Sequence, residues 1–517
     1  MRALFFFAFG LLPTCLGQDL AEPSLEGRTF LPNFTLYAPS DVEVQLFATH
    51  TLHDLGSPSS LTVDQDGRLF VTESNRMLEE QIDYGSHTEW ILDDLKSKTV
   101  ADRTALHEKW RHRIALSPQI NQPQQIRWLK DTNDDGMADQ SGLYAGGFND
   151  PLNGQASGIF TYDGVVFFGC PPNLWALSDF DGDGEVTDSE KFVCQDGFGI
   201  HITHTDHGLK GFALGPDGRL YGSMGDQGFQ KTNEDGVHFN FSDQGVAFRM
   251  YPDGSGFEVL HTGLHNPGEI AFNEFGDAFL IDAPSGLGDS ARLIYLVEGA
   301  DSGWRSHFQT LHSNHQEIGL SERPPNPWLE EHRSELSHPA QPAFVLPPIT
   351  HFDHSPSGLA FEPGTSLGGA YPNHFFASSL KKDRNQSGIY SFTLNQRGSS
   401  YQLDYSQPFL TGVEASDFEF SPKGQAYVSE FNPGPQSVLQ SRIISLSPTT
   451  PHPTAEETAQ VLAEGFRQRV PEELAALLSH PDQRVRLRAQ LALTDSPDGL
   501  KHFISQLYIR NLSLIHI

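Results

Sequence analysis

One pattern recurs six times along the chain and constrains its fold more than any other feature. Each copy has two short runs of alternating apolar residues joined by a turn that usually carries Asp and Gly. Gly supplies the positive φ that tight hairpin turns require, and a lone hairpin cannot bury its apolar face. The copies begin near residues 60, 158, 211, 269, 357 and 417. The repeat predicts an all-β chain, a six-bladed β-propeller over residues 35–450. An open sandwich or two smaller β domains is the alternative.

The remaining strands of the blades are expected between the copies. Val42–Ala48 and Arg442–Leu446 are both apolar and alternating, and we expect them to share one blade and close the ring. Residues 75–130 are polar and are expected to form a partly helical insertion between blades. Residues 305–345 are rich in Pro, His and Glu and are expected to form a long loop. Long loops of this kind commonly lie over one face of a propeller and shape a site.

After Pro453 the apolar residues take helical spacing. The segment His480–Arg486 resembles the helix signature of HEAT repeats, so residues 453–511 are expected to begin a helical repeat region. The last six residues, 512–517, look like translated sequencing-adapter DNA. We therefore expect that the natural chain continues beyond this point.

The N-terminus has the layout of a secretory signal peptide over residues 1–18: Arg2, then an apolar run, then small residues. This predicts a periplasmic or secreted protein, with a lipoprotein anchor at Cys15 or an uncleaved anchor as alternatives. No later segment is apolar for long enough to cross a bilayer. Cys170 and Cys194 remain after signal removal, either as a disulfide or as free thiols. The formal net charge of -32 argues against nucleic-acid binding through the phosphate backbone.

Two acidic loops carry calcium-type spacing. The first places carboxylates at positions 1, 3 and 5, a glycine at 6 and a glutamate at 12, which suits hard oxygen coordination of Ca²⁺. The second is shorter and ends at position 9. Both are expected between blades in a structural role, with solvated acidic turns as the alternative. The candidate ligands are Asp179, Asp181, Asp183, Glu185 and Glu190 in the first loop and Asp131, Asn133, Asp135 and Asp139 in the second.

The third copy of the repeat carries the most informative stretch. The segment Asp206–Gly228 contains Asp-His directly before the hairpin and Gly-Asp-Gln-Gly at its end. It resembles the soluble glucose and sorbosone dehydrogenases, six-bladed propellers that use pyrroloquinoline quinone and Ca²⁺. The segments 263–269 and 298–304 are similar to further stretches of that family. More closely, residues 35–495 resemble the planctomycete-type propeller proteins often labelled membrane-bound dehydrogenase-like. Those proteins join such a propeller to HEAT repeats and a cytochrome c module.

The resemblance implies specific roles. His207 would be the catalytic base, with Asp206 or another carboxylate orienting its ring. Residues 282–289 fall where the family places backbone carbonyls on Ca²⁺. A cytochrome would accept electrons, and haem c would lie in a missing C-terminal module. The implied quinone-binding residues are His265, Asn266, Lys381, Arg384 and Gln227.

The chain departs from the family at two of these positions. His265 stands in place of an arginine that faces the quinone, and Gly268 stands in place of a glutamine. A trianionic quinone needs cationic partners, so both departures bear on cofactor binding. His207 can also be read as a structural turn histidine or, with His201 and His204, as part of a metal-binding patch.

The sequence therefore leaves three functions open. The leading hypothesis is an exported quinoprotein-type dehydrogenase that oxidises a sugar or another polyol alcohol. The alternatives are a non-catalytic propeller that binds glycan or protein within a redox assembly, and a calcium-dependent hydrolase or lactonase. Fold alone does not separate them.

Overall fold

The strands form six four-stranded sheets arranged as the blades of a propeller, which confirms the predicted fold class. The computed structural model describes residues 28–502 except 32–33, 75–87, 115–123, 203–205, 326, 339, 354, 356, 431–440, 497–498 and 500. The predicted signal peptide at 1–18, His204 and the tail at 512–517 lie outside the described residues.

Every blade is an antiparallel meander whose first strand lies innermost. From the axis outward, the strands are Pro58–Val63, Leu69–Ser74, Gln124–Lys130 and Gln140–Phe148 in blade 1; Ile159–Tyr162, Val165–Cys170, Asn173–Leu177 and Lys191–Asp196 in blade 2; Leu209–Leu214, Leu220–Met224, Gly245–Met250 and Glu258–Leu264 in blade 3; Asn266–Phe272, Ala278–Ala283, Ala291–Tyr295 and Thr350–Phe352 in blade 4; Leu359–Phe361, Phe375–Ser379, Gly388–Arg397 and Ser400–Thr411 in blade 5; and Ala415–Phe420, Ala426–Glu430, Arg442–Pro448 and Val42–Thr49 in blade 6.

Short accessory strands extend two of these sheets, and two more form a separate hairpin. Arg28–Leu31 and Leu36–Pro39 add to the outer edge of blade 5, and Ala300–Asp301 pairs with the outer strand of blade 3. Phe229–Thr232 and His238–Phe241 form a hairpin in the connection between the second and third strands of blade 3.

The ring closes as the sequence predicted. Val42–Thr49 pairs antiparallel with Arg442–Pro448, so the first blade strand completes the last blade. Polar contacts join neighbouring blades; for example, Ser59 Oγ donates to the Ala156 carbonyl at 2.9 Å and Ser223 Oγ to the Gly268 carbonyl at 2.9 Å. A hydrophobic core fills the space between each pair of neighbouring blades. Burial of these apolar faces between radially packed sheets is what a single hairpin cannot achieve.

The inner hairpin turns show why the repeat carries glycine. Gly67, Gly164, Gly218, Gly276 and Gly424 all have φ between 75° and 86°, a conformation that side chains with a Cβ rarely adopt. The fifth copy, which looked degraded in the sequence, has a longer connection in place of the tight turn. We call the face on which these turns lie the turn face, and the opposite face the mouth.

The two long segments that interrupt the repeat meet at the mouth. The first contains the helices Thr88–Trp90, Ile91–Asp94 and Val100–Ile114, and the second contains Ser306–Ser313 and Pro327–Glu330. Trp90, Ile91, Leu106 and Ile202 pack together with Ile318. We call this assembly the cap. One bound was wrong: the insertion does not reach residue 130, because Gln124–Lys130 is the third strand of blade 1.

The C-terminal helices dock on the turn face. They are Ala455–Glu464, Pro471–Leu477 and Gln483–Asp495, and the short helix His50–His53 lies elsewhere, after the closing strand. Gln483 N donates to the Pro363 carbonyl at 2.6 Å, and Gln490 Nε2 donates to the Pro216 carbonyl at 3.1 Å. In the described part of the chain, each helix is too short or too polar to cross a bilayer.

Candidate functional site

A cavity of about 380 Å³ lies on the propeller axis, where the innermost strands begin. Serine hydroxyls, amides and small residues form much of its wall, including Ser59, Ser157, Ser357 and Ser416. The ionisable residues among the described lining are Asp206, Lys210, Glu269, Lys381, Glu414 and Asp417. Within the described wall, carboxyl groups therefore outnumber ammonium groups by four to two.

A histidine–aspartate dyad stands beside this cavity. His207 Nδ1 lies 2.5 Å from Asp226 Oδ1, and His207 Nε2 lies 3.7 Å from Oδ2 of the cavity-lining Asp206. A carboxylate only accepts hydrogen bonds, so Nδ1 carries the proton and Nε2 is the basic nitrogen on the side of Asp206. The predicted base therefore has an orienting carboxylate, but it is Asp226 rather than Asp206 that holds the ring.

Asp226 is itself fixed from two sides. The side chain is fully buried, and its Oδ2 accepts a hydrogen bond from Trp304 Nε1 at 2.6 Å. The backbone N–H of Asp226 donates to the His265 carbonyl at 2.8 Å. The hairpin places the dyad: Leu209 pairs with Met224, so the residues just before and just after the two strands lie at the same end. The carboxylate has little freedom to leave the histidine.

Electrostatics make His207 a stronger base than an ordinary histidine. Burial lowers its pKa, but the charges of Asp206 and Asp226 and the hydrogen bond to Asp226 outweigh burial, so the pKa is raised. Both carboxylates stabilise the imidazolium that proton abstraction would create.

Opposite the dyad, two carboxyl groups share a hydrogen bond in the cavity wall. Glu269 donates to Asp417, and burial together with the charge of Asp417 raises the pKa of Glu269 well above its ordinary value. Burial also raises the pKa of Asp417, to about 7. Each group accepts a backbone N–H of the next blade: Glu269 Oε2 from Leu359 at 3.0 Å, and Asp417 Oδ2 from Leu61 at 2.7 Å. The pair therefore keeps one proton over a range where free carboxyl groups have lost theirs.

The structure brings together some of the predicted cofactor residues but not all of them. Asn266 and Lys381 line the cavity, and Asn266 Oδ1 accepts a hydrogen bond from Lys210 Nζ at 3.0 Å. His265 packs against the His207 ring, with its own ring nitrogens 2.9 Å from the Ala283 carbonyl and 3.2 Å from Gln309 Oε1. Gln227 is buried and donates to the His201 carbonyl at 3.0 Å.

These contacts test the fit of pyrroloquinoline quinone. Two cationic groups near the cavity already face protein carboxylates: Lys381 Nζ lies 3.2 Å from Asp353, and Arg384 pairs with Glu430 and Glu414. Lys210 donates to the Asn266 amide oxygen, and burial lowers its pKa. The ring nitrogens of His265, at the position of the family arginine, contact protein oxygens. The described residues therefore do not fit a trianionic quinone, which needs several cations that are not already neutralised.

The first acidic loop fits a hard cation. The carboxylates of Asp179, Asp181 and Asp183 converge, with oxygen atoms within 4.8 Å of one another. Glu190 has a different role from these three residues. Its Oε1 accepts a hydrogen bond from Phe180 N and its Oε2 accepts one from Thr187 N, both at 2.9 Å. Glu185 N donates to Asp183 Oδ1 at 2.9 Å.

The second acidic loop is a network of turns closed by its own side chains. Asp131 Oδ2 accepts from Gly136 N at 2.8 Å, Asn133 Oδ1 from Asp135 N at 3.0 Å, and Asp139 Oδ2 from Thr132 Oγ1 at 2.7 Å. Both loops lie against a neighbouring blade: Val186 N of the first donates to the Tyr144 carbonyl of blade 1 at 2.6 Å, and Ala138 N of the second donates to the Phe47 carbonyl of blade 6 at 3.0 Å. Each joins the third and fourth strands within one blade, blade 1 or blade 2.

Sequence reasoning missed several residues of this site. Asp226 and Trp304 lay within motifs that were noted, but no role was given to them. Lys210, Glu269 and Asp417 carried a visible signal, since each is an ionisable residue within an apolar innermost strand. Cys170 and Cys194 do not form a disulfide; the first is buried and the second partly buried.

The fold and site define a six-bladed propeller with a histidine–aspartate dyad beside an axial cavity. Residues 34–333 match the family described as "Domain of unknown function (DUF7133)". The chain therefore belongs to this family. No curated protein matches it.

Solved structures with a similar outline share little sequence with the chain. The PQQ-bound form of aldose sugar dehydrogenase from Streptomyces coelicolor is 15% identical, covers 79% of this chain and 99% of its own, and has a TM-score of 0.46. The apo-form of the soluble aldose sugar dehydrogenase from Escherichia coli is 14% identical, with coverages of 79% and 99% and a TM-score of 0.46. The calcium structure of a Trichoderma reesei family AA12 protein is 12% identical, with coverages of 80% and 96% and a TM-score of 0.45. Function has to be argued from the residues of this chain.

Proposed function

We propose that this protein binds a neutral polyhydroxylated molecule, a sugar or another polyol, in the axial cavity, and that His207 removes a proton from one of its hydroxyl groups. This is the proton-transfer half of alcohol oxidation, as in a sugar dehydrogenase. The observation that carries the proposal is the array of His207, Asp226 and Trp304 beside a cavity lined with hydroxyl and carboxyl groups.

His207 would act through Nε2. The proton of the substrate hydroxyl passes to Nε2, and the resulting imidazolium keeps its Nδ1–H bond to Asp226. Trp304 holds Asp226 in place, so the ring does not have to reorient during the transfer. Since the pKa of His207 is raised and the base must be neutral, kcat/KM is expected to increase with pH through a value above 6.5.

The wall of the cavity would select for neutral ligands. Hydroxyl, amide and carboxyl groups offer many partners for the hydroxyl groups of a sugar. The excess of carboxyl over ammonium groups disfavours sugar acids and sugar phosphates, which would enter a site of like charge.

Alcohol oxidation also releases a hydride, which an acceptor must take. The described residues do not provide the unpaired cations that pyrroloquinoline quinone requires. The same misfit favours a second candidate, a hydrolase of lactone type, in which the dyad would activate water instead of a substrate hydroxyl. Export to the periplasm or outside the cell and electron transfer to a cytochrome belong to the dehydrogenase proposal and rest on the sequence alone. Ca²⁺ binding belongs to it too and is supported by the convergence of Asp179, Asp181 and Asp183.

A paired binding and activity experiment tests the proposal. Isothermal titration of the full chain against neutral sugars and polyols, with the matching sugar acids as controls, should give binding of neutral ligands only. Dye reduction and lactone hydrolysis are then measured with each ligand class, with and without added quinone and Ca²⁺.

His207→Gln should lower kcat/KM by about 100-fold or more, the usual contribution of a general base. Ligand affinity should change little. His238→Gln, at an exposed histidine, is the matched control. Full activity in His207→Gln, or no binding of any neutral sugar, contradicts the proposal. Dye reduction that depends on added quinone contradicts the conclusion that the described residues do not fit pyrroloquinoline quinone. Lactone hydrolysis without dye reduction favours the hydrolase over the dehydrogenase.

A further inference from the structure

His201 lies beneath the cap with both ring nitrogens against backbone carbonyls. The residue is 4% exposed. Its Nδ1 is 3.1 Å from the Asp94 carbonyl oxygen, and its Nε2 is 2.5 Å from the Ser242 carbonyl oxygen. A carbonyl oxygen only accepts hydrogen bonds, and neutral imidazole has one N–H. Both contacts can be hydrogen bonds only if the ring carries two protons and a positive charge.

A buried carboxylate balances this charge. Asp94 is 2% exposed, and its Oδ1 lies 3.5 Å from His201 Nδ1. The same oxygen accepts the Ile202 N–H at 2.9 Å. Burial lowers the pKa of His201, but the hydrogen bond and charge of Asp94, the Ser242 carbonyl and the charge of Asp226 outweigh burial and raise it. An ion pair of this kind is costly to break from one side, because the remaining charge stays buried.

Other ionisable groups packed around His201 are consistent with this state. The His307 ring lies 5.9 Å away, and burial and the positive charge of His201 lower the pKa of His307. Lys98 Nζ is 3.4 Å from Ser242 Oγ, and Asp243 follows along the chain. Arg103 donates to the Gly199 carbonyl at 3.0 Å.

His201 connects the cap to the dyad. Asp94 ends the cap helix Ile91–Asp94, whereas His201 belongs to the segment that leads from blade 2 to His207. The backbone N–H of His201 donates to the Gln227 carbonyl at 3.0 Å, and Gln227 Nε2 returns a bond to the His201 carbonyl at 3.0 Å. Gln227 directly follows Asp226 of the dyad.

We propose that His201 is a positively charged clasp that holds the cap over the mouth of the propeller and releases it as pH rises. Loss of one ring proton leaves one carbonyl without its donor and removes the positive charge of His201 that faces the buried Asp94 carboxylate. Since the pKa of His201 is raised in the folded protein, the clasp is complete below about 6.5, the ordinary histidine value, and is lost as pH passes the raised value. The clasp does not depend on the chemistry proposed for His207.

Hydrogen exchange of the cap helix Val100–Ile114 in the full chain tests the clasp. Rates are measured from pH 6 to pH 9 and corrected for the intrinsic pH dependence of exchange. In the wild-type protein, protection should fall by up to about tenfold per pH unit between about 6.5 and the raised pKa of His201, because only the closed cap keeps the proton in that range. Above the raised pKa, protection should level off. The innermost strand Leu209–Leu214 should show no such change.

Two variants separate the clasp from a general loss of stability. His201→Gln should lower cap protection at pH 6 by at least about tenfold and abolish its pH dependence. His261→Gln is the matched control: His261 is also buried, but burial lowers its pKa to about 4, so it is neutral and should not contribute to the pH dependence. Wild-type protection that is independent of pH, or that keeps its pH dependence in His201→Gln, would overturn the proposal.

A direct measurement covers the case in which His201→Gln does not fold. Nuclear magnetic resonance of ¹⁵N-histidine in the wild-type protein reports the protonation of each ring nitrogen. Two protonated nitrogens at pH 7 in a ring that shows a contact to Ser242 support the clasp. A neutral tautomer at that position contradicts it.

Discussion

The two ends of the propeller axis are built by the same six innermost strands, yet they are opposite in character. At the mouth the strands begin, and they surround a cavity in whose wall a pair of carboxyl groups shares a proton. At the turn face the strands end, and the C-terminal helices cover their hairpin turns. There Arg484 Nη2 lies 2.8 Å from the buried Asp482 Oδ2, and Arg484 Nη1 donates to the carbonyls of Phe420 and Ser421.

The difference shows that the segment covering each end of the axis, rather than the strands of the blades, determines which groups partner the buried acids there. The turn face has its own buried acids, and burial raises the pKa of Glu362 and Glu419 to about 7. Arg484 lies on the docked helix, and the positive charge of its guanidinium partly offsets this increase in both pKa values. At the mouth, the cap lies over the cavity, and Glu269 and Asp417 in the cavity wall hydrogen-bond to each other instead of to an arginine.

The largest effect is expected at the turn face. Arg484→Ala should lower the free energy of opening of the helix Gln483–Asp495 by about 3 kcal/mol, because Asp482 stays buried without its partner. This is the lower end of the usual range, since the Arg484 side chain keeps 29% of its surface exposed. Hydrogen exchange of that helix measures the change. Arg467→Ala is the control: its side chain is 83% exposed and pairs with Asp163, so it should cost less than about 1 kcal/mol. Equal effects of the two variants would mean that Arg484 does not anchor the helices.

A somewhat smaller effect is expected from Ca²⁺, and it should be confined to the turn face. Lys423, in the inner turn of blade 6, pairs with Asp134, which places the second acidic loop on that side. Calcium at 100 times its dissociation constant should stabilise the loop that binds it by about 2.7 kcal/mol. Calorimetric titration of the wild-type protein and of Asp181→Asn counts the sites, and the variant should lose the site of the first loop. If Asp181→Asn binds as many ions as the wild type, the first loop is a solvated acidic turn.

The smallest effect is expected at the mouth and depends on pH. The folded protein keeps a proton on the pair of Glu269 and Asp417 where the unfolded chain has lost it, so stability falls as pH rises from about 4.5 toward 7 and above. The slope contributed by one proton is at most about 1.4 kcal/mol per pH unit.

Glu269→Gln should flatten that slope, because an amide mimics the protonated acid and does not titrate. Thermal melting at a series of pH values measures it. Glu414→Gln is the control and should keep the wild-type slope. Glu414 lines the same cavity, but its carboxylate pairs with Arg384. A Glu269→Gln protein that retains the full slope would show that the proton is held elsewhere.

The fold was predictable from the sequence because its signal is local and repeated. Alternation and turn glycines fix each hairpin, and the closing pair of Val42–Thr49 with Arg442–Pro448 could be found by counting the strands left over. The insertion was placed too far along the chain because its polar sequence runs into Gln124–Lys130, a strand with polar residues at several positions.

The candidate site was less predictable because it is assembled from distant parts of the chain. His207 and Asp226 could be paired, since one hairpin brings them together. The pairing of Glu269 with Asp417 depends on ring geometry, which no local pattern shows. The contact of His265 with Gln309 depends on the cap, so the residue type alone did not reveal it.

The closure of the ring has a mechanical consequence. Val42 pairs with Pro448, so the chain enters and leaves the blades at neighbouring points at the same end of blade 6. A force that pulls the preceding and following segments apart would load the two strands from that one end and open their hydrogen bonds one pair at a time. Blade 6 is therefore the place where we expect the ring to unzip under tension, with the other five blades still intact.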